Sequence, residues 1–248
     1  MGQAMRKHLY EEWEYLESEI QAPVKREFVA GEVYAMAGAT ARHNRVSGNL
    51  YVMLDAATRG TPCEVFMADM KVKVEAHRAF YYPDVLLACE LDDDQPLYRT
   101  RPCLIVEVLS PSTAGIDERE KWHHYRDIPT LRHYLLIDSE SRQVRLRTRE
   151  GAGWLEQTLG EGEGERLRLA CGPVRLELGL AEIYDRSGLE AITEYVEREE
   201  NREAFRQSTF KAWEEYRTTG LQVTAIEADA WLAQLESGKD SEPPECHV

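Results

Sequence analysis

No apolar run in these 248 residues approaches the ~20 needed to cross a bilayer, so no membrane-spanning helix is expected. Cysteine is scarce and scattered: five residues, at 63, 89, 103, 171 and 246, an odd number with no CxxC pair. That spacing argues against a disulfide framework and against a thiolate zinc site. Cys89 and Cys103 lie inside apolar runs, where buried thiols are expected. Positive charge is also short. Thirty Lys and Arg face 45 Asp and Glu, a net charge of −15, which weighs against a passive nucleic-acid coat. The N-terminal stretch carries two basic residues but no apolar h-region, and Met1-Gly2 lacks the Ser or Thr of a myristoylation site. A cytoplasmic location without membrane association is the resulting expectation.

What is present is the sequence of an α/β domain. The chain is long enough for one full core with a small appendage. Leu9, Trp13, Leu16 and Ile20 share a helical face, and residues 26–36 read as two short strands about Gly31. Val46, Leu50, Met53, Leu54 and Ala57 recur at helical spacing over about 42–58, and Gly60 and Pro62 end that helix. Residues 64–75 alternate like one half-buried strand. The runs Val85–Cys89, Cys103–Leu109 and Tyr134–Ile137 suit strands covered on both faces. A helical stretch at about 116–127 separates the last two, and further strands are expected at 143–148, 154–159 and 165–178. This order predicts a mixed β-sheet core flanked by helices. Residues 1–188 would form that core, 189–236 a helical extension suited to protein contact, and 237–248 a disordered tail. The tail from 191 onward holds 13 acids and 6 bases, so it carries −7 and the first 190 residues −8.

Two carboxylates stand out. Glu107 interrupts Cys-Leu-Ile-Val-Glu-Val-Leu, a stretch that otherwise reads as buried, and an isolated buried carboxylate costs several kcal/mol. It needs a cation, a metal or a hydrogen-bond network, unless it lies on an exposed strand face beside Arg or Lys. Asp84 follows Pro83 and opens the Val85 run, either as a turn residue or at the mouth of a core strand. Converging at one sheet edge, the two would repel, and a hard divalent cation relieves that repulsion. Such a metal activates a bound water and stabilises charge on phosphate. Lys121, on the helical stretch after the Glu107 strand, is the candidate ammonium, unless it only pairs with Asp117 at i−4. His123, His124 and His133 suggest zinc only weakly, because adjacent helical histidines point apart.

Tyr82-Pro-Asp-Val-Leu-Leu, Leu104-Ile-Val-Glu-Val-Leu-Ser-Pro-Ser-Thr113, Asp117, Glu120-Lys121 and Tyr125 together resemble the Uma family of restriction-endonuclease-like proteins, within the PD-(D/E)XK nuclease superfamily. Residues 28–39 with His43, 65–74 and 131–138 extend the resemblance, which covers about 8–186. It implies a restriction-endonuclease-like fold and a DNA endonuclease, in which Asp84 and Glu107 bind Mg²⁺ or Mn²⁺. The position two after Glu107 is Leu109, so the usual E-x-K lysine is absent and Lys121 would supply the ammonium. Glu32 resembles an acidic residue near the family's active site, or is a plain turn carboxylate. His43 is a phosphate contact or base, or a capping histidine. Asp69 is a helper to the metal or a strand cap, and Tyr125 a substrate contact or a packing residue.

Three functions remain open at this stage. One is a metal-dependent nuclease acting on DNA, as a homodimer so that two sites address two strands. The second is a nuclease-fold binding protein without turnover. The third is a regulatory or toxin–antitoxin partner, in which the C-terminal helices make the protein contact.

Overall fold

The computed structural model describes residues 8–110, 115, 117–160 and 166–189, with Arg202, Glu203, Arg206 and Gln207. Contacts divide the chain after Glu190 into two units. The C-terminal extension and tail, apart from Leu189 and those four residues, lie outside the described residues, as do residues 111–114, 116 and 161–165.

Helix α1 (Glu12–Ile20) begins at Glu11 with a capping box, in which Glu14 reaches back to the Glu11 N–H at 2.8 Å. Strands β1 (Arg26–Val29) and β2 (Glu32–Ala35) pair as a hairpin about Ala30-Gly31. Both turn residues have positive φ, the backbone a two-residue hairpin loop demands. Helix α2 (Ala41–Thr58) starts at Thr40, whose hydroxyl accepts the His43 N–H, and buries Val46, Leu50 and Leu54.

The single strand expected at 64–75 is two. β3 (Glu64–Met67) and β4 (Lys71–Val74) belong to different sheets. Between them Ala68 turns into the left-handed region at φ 60, and its N–H bonds the Asp84 carbonyl at 3.0 Å. The hydrophobic alternation survives this break, which is why it does not show in the sequence. β5 (Ala79–Tyr81), β6 (Val85–Ala88), β7 (Tyr98–Arg99) and β8 (Pro102–Leu109) follow. A π-helical turn over Asp117–Lys121 leads into the short helix α3 (Trp122–Tyr125). Then come β9 (His133–Asp138), β10 (Val144–Glu150), β11 (Gly153–Leu159), the hairpin β12 (Arg166–Cys171) and β13 (Val174–Gly179), and helix α4 (Leu180–Ile183).

The architecture is α/β with mixed sheets flanked by helices, as the sequence predicts. The larger sheet has the order β11-β10-β9-β8-β6-β3, and the smaller one β2-β1-β5-β4-β7. β8–β9 and β4–β7 are parallel pairs, and the other ladders are antiparallel. One core lies where α2, β12–β13 and α4 meet the large sheet, through Leu50, Leu54, Val106, Val108, Leu135 and Ile137. A second lies between the sheets, where Tyr81 meets Ile105, Leu109, Tyr125 and Leu136. Tyr15, Phe28 and Phe80 form a third cluster. Among the described residues no helix is long and apolar enough to cross a membrane.

The cysteine expectation is corrected. Cys63 bonds to Cys89, and Cys103 to Cys171, with Cα separations of 4.0 and 5.8 Å. Antiparallel pairing sets Glu64 opposite Ala88, so the next pair outward is Cys63 and Cys89. Only the sheet register brings together thiols 26 residues apart.

Candidate active site

β6 and β8 run antiparallel with Val85 opposite Val106, and continuing that register one residue past the start of β6 brings Asp84 level with Glu107. Directly opposed residues have Cβ atoms ~4.5–5.5 Å apart. Along β8 the side chains alternate: Val106 and Val108 enter the core beneath α2, while Ile105 and Leu109 enter the core between the sheets. Glu107 shares the second face and is 3% exposed. An exposed strand position beside Arg or Lys is thereby ruled out.

Two neighbouring elements, the π turn and α3, supply partners for it. Lys121, at the end of the π turn, places Nζ 3.4 Å from Glu107 Oε1. The same Nζ lies 2.9 Å from Glu27 Oε1 on β1, and 5.6 Å from the centre of the Tyr81 ring. Tyr125, one turn on, is fully buried and donates its hydroxyl to Glu107 Oε1 at 3.0 Å. Burial, followed by the neighbouring Glu107 charge, holds the Tyr125 phenol well above its ordinary pKa, so it stays a neutral donor. The π turn and α3 thus deliver both a cation and a hydroxyl onto one carboxylate oxygen. Leu109 faces the same way as Glu107 and packs in the core, so the strand itself offers no ammonium.

Asp84 is fixed differently. Its Oδ2 accepts the Val108 N–H at 2.7 Å and lies 3.3 Å from His43 Nε2, which arrives from the first turn of α2. The cap of α2 is Thr40, and the His43 side chain lies beside Asp84. Glu27, Asp84, Glu107 and Lys121 together carry a formal charge of −2. Hard oxygen donors with that excess fit a divalent cation, and Mg²⁺ is commonly held by one or two carboxylates plus substrate phosphate. Among the described residues no three His, Cys, Asp or Glu side chains form a metal centre by themselves, so further ligands would be water, backbone or substrate.

The other sequence candidates lie differently. Glu32 accepts the Tyr34 hydroxyl, and Glu27, five residues earlier, is the carboxylate that reaches Lys121. Asp69 sits in the β3–β4 turn, pairs with Lys25 and is largely exposed. Glu27 escapes sequence reading because one charged residue in a four-residue strand carries no periodic signal. Its inward aim follows from Phe28 pointing outward, into the cluster with Tyr15.

A second polar cluster adjoins Lys121. Tyr81 lies 2.6 Å from His124 Nδ1, His124 stacks on His77 at 4.0 Å, and His77 Nε2 pairs with Asp127 at 2.7 Å. Burial, then His77 and His123, push the His124 imidazole down to about 4, so near neutral pH the ring beside the Tyr81 hydroxyl is uncharged. His133 is elsewhere, between Thr148 and the Ala170 backbone, so the three sequence histidines do not form a zinc site.

The family model described as "Putative restriction endonuclease", Uma2, matches residues 10–181. An uncharacterised Synechocystis sp. protein is 42% identical over 128 residues, covering 50% of this chain and 72% of its own length. A second from the same organism is 35% identical over 144 residues, covering 57% and 76%. A crystal structure described as a "putative nuclease belonging to DUF820", from Anabaena variabilis, superposes with a TM-score of 0.54 at 12% identity. It covers 68% of this chain and 96% of its own, a likeness of fold. With the family model spanning most of the chain and its fold matched in a solved structure, this protein belongs to the Uma2 family of restriction-endonuclease-like proteins.

Proposed function

We propose that the chain is a divalent-metal-dependent endonuclease that hydrolyses DNA phosphodiesters at Asp84 and Glu107. The observation that supports this reading is the buried Glu107 with the Lys121 ammonium 3.4 Å away, in a register that brings Asp84, just before β6, level with Glu107 on β8. Asp84 and Glu107 would hold Mg²⁺ or Mn²⁺, which supplies a lowered water pKa and neutralises charge at the phosphate.

The chain's own groups prepare that site. Glu27 holds Lys121 from the opposite sheet, and the Tyr82 N–H, 3.3 Å from Glu27 Oε1, steadies that carboxylate. Tyr125 and Lys121 together restrict the rotation of Glu107. The Val108 N–H and His43 do the same for Asp84. In this reading Lys121, carried by the π turn instead of the strand, takes the role of the E-x-K lysine, orienting the attacking water and offsetting the phosphate's charge.

Cleavage of supercoiled plasmid in Mn²⁺, Mg²⁺ or EDTA tests the assignment. Loss of residues that merely orient metal ligands costs ~10–100-fold, so Asp84→Ala and Glu107→Ala should each lose more than ~100-fold. Cleavage by both variants at the wild-type rate overturns it.

A further inference from the structure

Beside the carboxylate pair lies a set of donors that the metal site does not use. The β9–β10 turn is held rigid by Asp138, whose carboxylate accepts the Glu140 N–H at 2.7 Å, the Ser141 N–H at 3.2 Å and the Ser141 hydroxyl at 2.9 Å. The Tyr184 hydroxyl lies 2.9 Å from both the Asp138 and Gln143 carbonyls, closing the turn from the α4 side. On this turn Ser139 is 1% exposed, yet its Oγ has no hydrogen-bond partner. The same holds for the buried Nε of Arg142, three residues on, and for the buried Nε of Arg42 in the first turn of α2. Arg42 reaches into the turn, with Nη1 3.4 Å from the Ser139 carbonyl and 2.8 Å from Glu140 Oε2. Glu140 is half exposed and occupies only that edge of the guanidinium.

Buried donors without acceptors each cost about 1–3 kcal/mol, and of the two carboxylates at this turn Asp138 is engaged by the Glu140 and Ser141 donors and Glu140 is half exposed. An anion with several acceptor oxygens would satisfy them, and planar guanidinium forks match phosphate. The location fits a nucleic-acid backbone. Arg42 adjoins His43, which contacts Asp84, and the Ser139 N–H bonds the carbonyl of Leu109, two residues past Glu107. The start of α2 adds a helix-dipole field of favourable sign.

We infer that Arg42, Ser139 and Arg142 form a subsite for one backbone phosphate of the nucleic acid, beside the phosphate that is cut. This rests on the nuclease reading only for which molecule brings the phosphate. Binding of a short DNA duplex to the full chain, measured across salt concentrations in EDTA, tests it. One phosphate contact contributes ~0.9 to the slope of log K against log salt, about 3.5-fold in affinity over a fourfold rise in salt. Because both arginines hold the same phosphate, Arg42→Gln with Arg142→Gln should lower the slope by ~0.9 in total. Ser139→Ala should weaken binding and leave the slope alone. Lysine at both arginine positions should keep the slope and lose affinity with the fork, which also serves if the glutamine pair does not fold. An unchanged slope in the glutamine pair, a fall of twice that size, wild-type affinity in the lysine pair, or no duplex binding by wild type each overturns the subsite. Expected slopes without cleavage in Mn²⁺ retain the subsite and remove the nuclease reading. Cleavage with unaltered slopes does the reverse.

Discussion

Replacing Lys121 with Met tests the electrostatics of the site without relying on turnover. Lys121 is 6% exposed and stands between Glu107, at 3% exposure, and Glu27. Removing one member of a buried ion pair costs ~3–5 kcal/mol, because the remaining charge stays desolvated. Here the Tyr125 hydroxyl still serves Glu107 and the Tyr82 N–H still serves Glu27, which places the expectation near the lower end, ~3 kcal/mol. At ~2–4 °C per kcal/mol for a domain of this size, Tm should fall by ~6–12 °C in EDTA. Adding Glu107→Gln to Lys121→Met removes one stranded charge and should recover part of the loss. If the site takes a divalent ion, Mn²⁺ at about a hundred times its Kd stabilises the wild type by ~2.7 kcal/mol. It should do so in Lys121→Met and fail to do so in Glu107→Gln. Differential scanning calorimetry in EDTA and in Mn²⁺ reads all four proteins. A Lys121→Met protein as stable as wild type in EDTA, or a double variant no better than the single, refutes the account of a buried carboxylate held by that ammonium.

Tyr125→Phe removes only the hydroxyl that serves Glu107, so chemical denaturation should show a loss of ~1.5–3 kcal/mol, with the fold retained by circular dichroism. His124 is held neutral in the fold, with its pKa pushed down to about 4, while the unfolded imidazole titrates near 6.5. The unfolded chain therefore binds more protons between those values, and this contribution to stability is lost as pH falls from about 6.5 towards 4. His124→Gln should flatten the stability–pH curve over that window, against a background from His77, His123 and Asp127, which share the cluster with Tyr81. The disulfides close loops of 26 and 68 residues, worth ~3.5 and ~4.4 kcal/mol in a chain-entropy account. Dithiothreitol should lower Tm markedly, and non-reducing mass spectrometry should find the Cys63–Cys89 and Cys103–Cys171 pairs.

By itself the sequence determines the α/β class, most strand and helix positions, and the two awkward carboxylates. Each rests on a local rule: period 2 or 3.6 for the elements, and the cost of burying charge for Glu107. Tertiary structure decides everything that depends on which strands become neighbours. The break at Ala68 sends β4 to a second sheet without disturbing the alternation that suggests one strand. Register alone joins Cys63 to Cys89 and brings Asp84 level with Glu107. Glu27 reaches Lys121 because the smaller sheet packs over the larger, and Arg42 meets Ser139, 97 residues away, because α2 starts beside the β9–β10 turn. Such meetings leave no trace in the local pattern, since the side chains involved come from elements whose own periodicity is unaffected by what they face. Lys121 stands between the two cases. The absence of a strand lysine at Leu109 is legible in the sequence, whereas the π turn that carries Lys121 to 3.4 Å from Glu107 is a property of the fold.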